Sequence, residues 1–346
     1  MSRRVQSMVV AAVLALGLAI AGLALPVPFV SLSPGPVTDT LGAAGGSPLI
    51  QISGHRTYPT SGKLELTTVE EHPSLNLITA LHDWFASDNA VIPRELLQPP
   101  GTSEKQVQQQ NTQDMITSQD AATAAAFNQL GIKPSSASVS VAGFSARSPA
   151  AAKLAVGDRI LAVNGTAVST PQQLTAAIGR VKPGQPVKIT YQRAGAAPRT
   201  VTITTIGAPG QPSRPIIGIT PSQKSVYPVT VKIGLKDVGG PSAGLMFAIG
   251  IVDKLTPGDL AGGRTIAGTG EIAQNGDVSP IGGIQQKLLG ARRSGATIFL
   301  VPAQNCAEAS QATPTGLRLV KVSRLADALA ALTSLRANPA ARLTSC

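Results

Sequence analysis

The chain has 346 residues, 43% hydrophobic, 14% charged and 3% aromatic, with 35 Gly, 27 Pro and a formal charge of +11. Its length predicts two or three domains on a prior of about 100 to 200 residues each, and its apolar content excludes a disordered chain. The 29 Lys and Arg are scattered and not interleaved with stacking aromatics, which argues against a nucleic-acid groove and fits a basic surface beside an anionic membrane.

At the N-terminus, Arg3 and Arg4 precede the unbroken apolar run MVVAAVLALGLAIAGLAL, from Met8 to Leu25, extended by PVPFV. The run is long enough to cross a bilayer, and no A-x-A cleavage site follows it. A retained anchor over 1–30 is therefore preferred to a cleaved signal, with the arginines cytoplasmic and the body outside the cell membrane. Cys306 and Cys346 fit that compartment. An even count permits one disulfide, the alternative being two unpaired thiols. Neither cysteine has a nearby histidine or metal-ligand spacing, so no metal or cofactor is expected.

The turn-rich LSPGPVTDTLGAAGGSP leads to LIQIS and KLELTTV, which alternate like strands. NLITALHDWF, from Asn76 to Phe85, has apolar residues at helical spacing. Pro93 to Asp114 is polar and Gln-rich and reads as a flexible segment or solvated helix without chemistry. An alanine-rich helix is predicted over 117–131, ending at Gly131. From Ser145 to Ile178, SARSPAAAKLAVGDRILAVNGTAVSTPQQLTAAI is similar to the central part of PDZ domains, with VKITYQRAG and RTVTITTI as closing strands. That resemblance implies peptide binding by strand addition beside the second helix, with backbone amides holding the peptide carboxylate. The edge expected for it is Ala137 to Ala142, facing the helix from Pro171. The expected carboxylate loop is Leu130-Gly131-Ile132, with a plain helix cap at Gly131 as the alternative reading.

Further on, YPVTVKIGL alternates like a strand, and KDVGGP joins it to an apolar helix that follows Ser242. A serine there is most often a cap. Gly239, Gly240, Pro241 and Gly244 let the backbone approach a ligand closely, and helix-start amides hold an oxyanion or, equally, a phosphate. The three histidines, His55, His72 and His82, all lie in the first quarter of the chain. A base for Ser242 from the C-terminal half must then be a lysine whose pKa burial has depressed. Lys287 is the candidate, on a predicted helix with apolar Ile284, Leu288 and Leu289, although a solvated charge is the ordinary reading of such a lysine.

Together, GGPSAG, TGEI, PIGGIQQK and a strand ending VPAQN, in that order between about Tyr227 and Leu335, resemble the catalytic domain of Lon-type serine proteases. The resemblance implies Ser242 as nucleophile, Lys287 as general base, Thr269 orienting the amine, and an oxyanion loop of Gly239, Gly240, Pro241 and Ala243. Anchor, PDZ unit and protease-like domain together resemble the membrane-anchored bacterial proteases that combine PDZ and Lon-type domains. The implied fold is α+β. It comprises a transmembrane helix (1–30), an extracytoplasmic region (31–116) with strands that complete the protease sheet, a PDZ domain (117–208) inserted between, a Lon-type α/β proteolytic domain (209–337) and a tail (338–346).

No GxxxxGK[ST] phosphate loop occurs, SGKL at 61–64 lacking the rest of it. The expected activity is therefore ATP-independent endoproteolysis of unfolded segments or C-terminal tails. Where full-length Lon has an acidic residue before GPSAG, this chain has Gly239 and Gly240, with Asp237 slightly upstream. Rings, commonly hexamers, are the assembly the resemblance implies. Two rival readings are a PDZ scaffold with an inactive protease-like domain and a small-molecule kinase; export and PIGGIQQK argue against the second.

Overall fold

In the computed structural model, which describes residues 3–44, 46–235 and 238–346, the N-terminal apolar run forms one helix, α1 (Arg3–Ala24). Asp237 lies outside the described residues. Helix α1 is long and apolar enough to cross a membrane. The chain continues through β1 (Phe29–Asp39), β2 (Ile50–Ser53), β3 (Lys63–His72), α2 (Leu77–Phe85), β4 (Ala90–Pro93) and the long α3 (Glu104–Gln129). A separate unit, Lys133–Pro228, follows. It holds β5 (Ser136–Phe144), β6 (Arg159–Val163), α4 (Pro171–Ile178), β7 (Pro186–Gln192), β8 (Arg199–Thr204) and β9 (Ile219–Val226). The chain then returns to the first unit as β10 (Thr230–Ile233), α5 (Gly244–Leu255), β11 (Thr265–Gly268), α6 (Ile284–Arg293), β12 (Ile298–Pro302), α7 (Cys306–Gln311), β13 (Arg318–Val322) and α8 (Leu325–Ala337).

The first unit is built on a six-stranded sheet of order β13-β12-β11-β3-β1-β4. Strands β13, β12, β11 and β3 run parallel, and β1 and β4 are antiparallel additions. KLELTTV thus pairs with the strand ending at Gly268, Leu66 lying opposite it, while LIQIS pairs with β10. Side chains alternate across the sheet. Leu64, Leu66, Ile266 and Leu300 join a core with residues of α3, α5 and α8. Ala267, Phe299, Val301 and Leu319 join another with residues of α6 and α7. Burial on both faces is why a strand such as IFLVP is apolar throughout.

Helix α3 bears out the solvated-helix alternative for the Gln-rich stretch from Glu104 onward and corrects the start of the helix expected over 117–131. It begins at Glu104, not at 117, behind a capping box in which Ser103 and Gln106 bond each other's backbone N–H groups. From its middle onward it buries Met115, Ala122 and Ala125 in the core that α5 shares. The helix stays with the first unit, so the division falls after Ile132 rather than at 117, and after Pro228 rather than at 208. The hairpin of Ile206–Ala208 with Gln211–Ile216, followed by β9, belongs to the second unit. Residues 206–226 carry many polar residues and prolines and lack the apolar alternation that marks a strand with one buried face.

The second unit is an antiparallel sheet of order β8-β7-β6-β5-β9, with α4 packed through Leu174 and Ala177 onto a core including Val139, Ile160 and Ile189. Its GDRILAVNG turn is pinned by Asp158, which is 1% exposed. That carboxylate accepts Nε and Nη2 of Arg193, both at 2.7 Å, and the Ala155 N–H at 2.8 Å. The guanidinium hydrogen bonds hold its pKa below the usual range. In the first unit, Cys306 and Cys346 form a disulfide. The tail it fastens covers the free edge of β13, where the Lys321 N–H donates to the Thr344 carbonyl at 2.9 Å.

Candidate active site

Helix α5 starts with Ala243 at its N-cap position and no side-chain cap, so Ser242 precedes the cap and its hydroxyl is not spent on helix amides. The loop before it is held from α3. The Gly240 N–H, at φ 79°, donates to the Asn111 carbonyl at 2.9 Å. The Ser118 hydroxyl donates to the Pro241 carbonyl at 2.8 Å. The Ser242 carbonyl in turn accepts the Gly270 N–H at 2.8 Å and the Thr269 hydroxyl at 3.0 Å. With both flanks of the serine fixed, Oγ has a defined position.

Lys287 reaches that position from the opposite face of the sheet. Its helix begins after Gly283, whose φ of 65° is left-handed and would strain any other residue, and whose added Cβ would meet Val69. The turn ahead of it is clamped by Asn305 of VPAQN, which accepts the Ile281 N–H at 2.9 Å and donates to the Ile281 carbonyl at 3.0 Å. Helices α5 and α6 thus meet beyond the C-terminal end of β11, where ligands gather in open α/β sheets. There Lys287 Nζ lies 2.9 Å from Ser242 Oγ and 3.2 Å from Thr269 Oγ1. Lys287 is 3% exposed and Thr269 1%. Burial pushes the lysine pKa down to about 8, because the low-dielectric surroundings disfavour the ammonium.

The hydrogen bonding sets the amine's direction. Thr269 spends its only hydroxyl proton on the Ser242 carbonyl, so toward Lys287 it is solely an acceptor. A neutral amine that gives one N–H to Thr269 has its lone pair available for the Ser242 hydroxyl. Thr269→Val should remove this orientation and lower kcat/KM about 10- to 30-fold, the worth of a 1.5 to 2 kcal/mol hydrogen bond, with Thr269→Ser near wild type. Equal peptide-cleavage rates in wild type and Thr269→Val would remove Thr269 from the site.

The structure brings Ser242, Lys287 and Thr269 together and redistributes the expected oxyanion loop. The Gly240 N–H is taken by Asn111, and Pro241 has none to give. Of the expected loop, the Gly239 and Ala243 N–H groups are then left as candidate donors. The sequence reading missed Asn111, Ser118 and Asn305. Only Asn305 carried a signal, as the last residue of VPAQN.

The peptide-binding expectation in the second unit moves further. Strand β5 is interior, paired with β6 on one side and with β9 from Ser136 to Phe144 on the other, so Ala137 to Ala142 is not an open edge. Leu130-Gly131-Ile132 is no carboxylate loop. Their N–H groups donate to the Ala126, Asn128 and Phe127 carbonyls and close the end of α3. The edge strand is β9. A cleft of about 320 Å³ lies between it and α4, lined by Leu174, Ile178, Arg214 and Ile217-Gly218-Ile219. The Ile217 and Gly218 carbonyls are tied to the Ala150 and Ser145 N–H groups, and the trans peptide geometry turns the Gly218 and Ile219 N–H groups the other way. RPIIGI held this apolar-Gly-apolar pattern in plain sight.

These features define a class: an α/β unit with a lysine amine held against a serine near a helix start, joined to an antiparallel unit with an edge-strand cleft. Residues 223–334 match the family model of the Lon protease (S16) C-terminal proteolytic domain, and residues 108–205 match that of the PDZ domain. The chain therefore carries a Lon-type proteolytic domain, of the serine-protease kind, together with a PDZ domain. Among curated relatives, Lon protease 1 of Bacillus subtilis is 34% identical over 118 residues, 33% of this chain and 15% of that protein. Lon protease 2 of Herpetosiphon aurantiacus is 47% identical over 66 residues, 19% of this chain and 8% of that protein. The chain thus spans 15% or less of these two relatives' lengths. The crystal structure of the PDZ domain of an SdrC-like protein from Listeria monocytogenes is 32% identical, covering 24% of this chain and 84% of that one, with a TM-score of 0.22.

Proposed function

We propose that the protein is a membrane-anchored serine endopeptidase that acts outside the cytoplasm through a Ser242–Lys287 dyad, with its PDZ unit receiving substrate tails. The observation that carries this reading is the buried Lys287 amine 2.9 Å from Ser242 Oγ, with its pKa lowered to about 8. Neutral Lys287 takes the Ser242 proton as Oγ attacks the peptide carbonyl. Helix-start amides stabilise the oxyanion, each worth about 2.7 to 4 kcal/mol. The protonated lysine then gives its proton to the leaving amine, and the same amine activates the water that releases the acyl chain. Export is supported by Arg3 and Arg4 on the N-terminal side of α1 and by the Cys306–Cys346 bridge, which fits an oxidising compartment.

Ser242→Ala and Lys287→Ala, made separately, should each abolish cleavage of an unstructured peptide without ATP. Wild-type-like cleavage by either would overturn the dyad, and an inert wild type would favour a PDZ scaffold. For the cleft beside β9, a peptide with a free C-terminal carboxylate should bind at least about tenfold more tightly than its amide, since amidation removes the charged acceptor. Equal affinities by calorimetry would place tail recognition elsewhere.

A further inference from the structure

Helix α2 turns an apolar face outward. Leu77, Ile78, Leu81, Trp84 and Phe85 are all exposed, Trp84 by 64% and Phe85 by 84%. At about 100° per residue these five side chains fall within an arc of about 120°. Ala80 and Asp83 lie on the other side and are buried. A contiguous face of five large apolar residues, two of them aromatic, is unusual on a surface that meets only water. No acidic residue interrupts it, and the one flanking polar side chain is His82.

The position of this face says what covers it. Gly22, the only buried residue of α1, lies against Ile78 and Leu77. Just beyond the end of α1, Pro26–Val27 pairs with Leu75–Asn76, the two residues before α2. Helix α2 therefore begins where α1 ends, so wherever α1 carries the chain into lipid, the apolar face of α2 is brought to the same lipid surface. We propose that α2 is a monotopic helix that lies in the bilayer interface on the side of the protein's body, with Trp84 and Phe85 inserted at headgroup level, where such residues gather. The proposal rests on the anchored reading of α1 given above. It replaces a single flexible tether with two attachments, α1 and α2, and so fixes the orientation of the proteolytic domain to the membrane.

Trp84 is the single tryptophan of the chain, which makes it a reporter. The full chain is reconstituted in phosphatidylcholine and phosphatidylglycerol vesicles, with and without bromines near the top of the acyl chains. Brominated lipid should lower Trp84 emission about twofold, as for an interfacial ring. Leu81→Asp combined with Phe85→Asp should abolish that quenching while the protein still floats with the vesicles. Flotation with no lipid quenching overturns the proposal and leaves the anchor standing. In that case, access to iodide would mean that α2 faces water, and protection from iodide that another protein covers it. Failure to float overturns the anchor, and the proposal with it.

Discussion

Lys287→Met is expected to abolish peptide cleavage and, at neutral pH, to make the unit that carries the site more stable. Methionine keeps an unbranched stem of similar reach in the buried slot but offers no amine. Loss of the base in a serine-dependent site typically costs 10⁴- to 10⁶-fold in rate. The stability effect has the opposite sign because the lysine is held where its charge is disfavoured. A pKa lowered from 10.5 to about 8 corresponds to about 3 kcal/mol of destabilisation wherever both folded and unfolded chains are protonated. The hydrogen bonds to Ser242 and Thr269 offset about 1 kcal/mol each. A net gain of about 1 to 2 kcal/mol therefore remains for the methionine variant. Denaturant unfolding at pH 7 measures it, and a variant less stable than wild type would show that the site does not strain its base.

The sign fixes the pH window. The folded chain binds the Lys287 proton more weakly than the unfolded chain, so between pH about 8 and 10.5 the unfolded state holds more protons and wild-type stability rises with pH. The advantage of Lys287→Met is full below pH 8 and fades as the pH approaches 10.5. Activity follows the same titration, kcat/KM climbing with an apparent pKa near 8 as the neutral amine becomes populated. An acid limb near pH 6.5 would point to a histidine, in a chain with three of them.

The pairing of Ser242 with Lys287 was legible in sequence because each half is a local device. GGPSAG and PIGGIQQK each write a glycine turn and a helix start within a few residues, and the residue proposed to do the chemistry is one whose type announces it. The missing downstream histidine narrowed the base further. What holds the two residues in place was not legible, for physical reasons. Asn111 acts through its main-chain carbonyl and through the closeness of its Cβ, neither of which depends on being asparagine. Strand β9 was invisible for another reason: its inward positions, Ile219, Pro221, Gln223 and Ser225, are only partly buried, so they need not be apolar, and ITPSQKSV has no apolar period. The order of strands in a sheet is likewise not encoded in any one of them, so a plausible edge, Ala137 to Ala142, is an interior strand. The spacing of NLITALHDWF did predict a helix, but a buried apolar face and an exposed one have the same period.

The second large effect is expected at Gly239. Gly239→Ala should lower kcat at least about 100-fold with the fold intact, because displacing catalytic groups by as little as 1 Å carries losses of that size. The added methyl would sit 2.7 Å from Asn111 Cβ, closer than carbon atoms approach, and neither partner is a flexible side-chain end. The loop must back away from α3, drawing the Gly240 N–H from the Asn111 carbonyl and shifting Ser242, three residues on, relative to an amine fixed by a different helix. KM should change far less than kcat, since the misplacement is felt where the amine meets the hydroxyl. The cause can be isolated by adding Asn111→Gly, which deletes the opposing Cβ but keeps the carbonyl that accepts the Gly240 N–H. The double variant should recover at least about tenfold of the lost kcat, despite the roughly 1 kcal/mol that a helix-interior glycine costs in stability. If Asn111→Gly brings no recovery, the loop is not positioned from α3, and the polar half of that helix returns to being solvated surface.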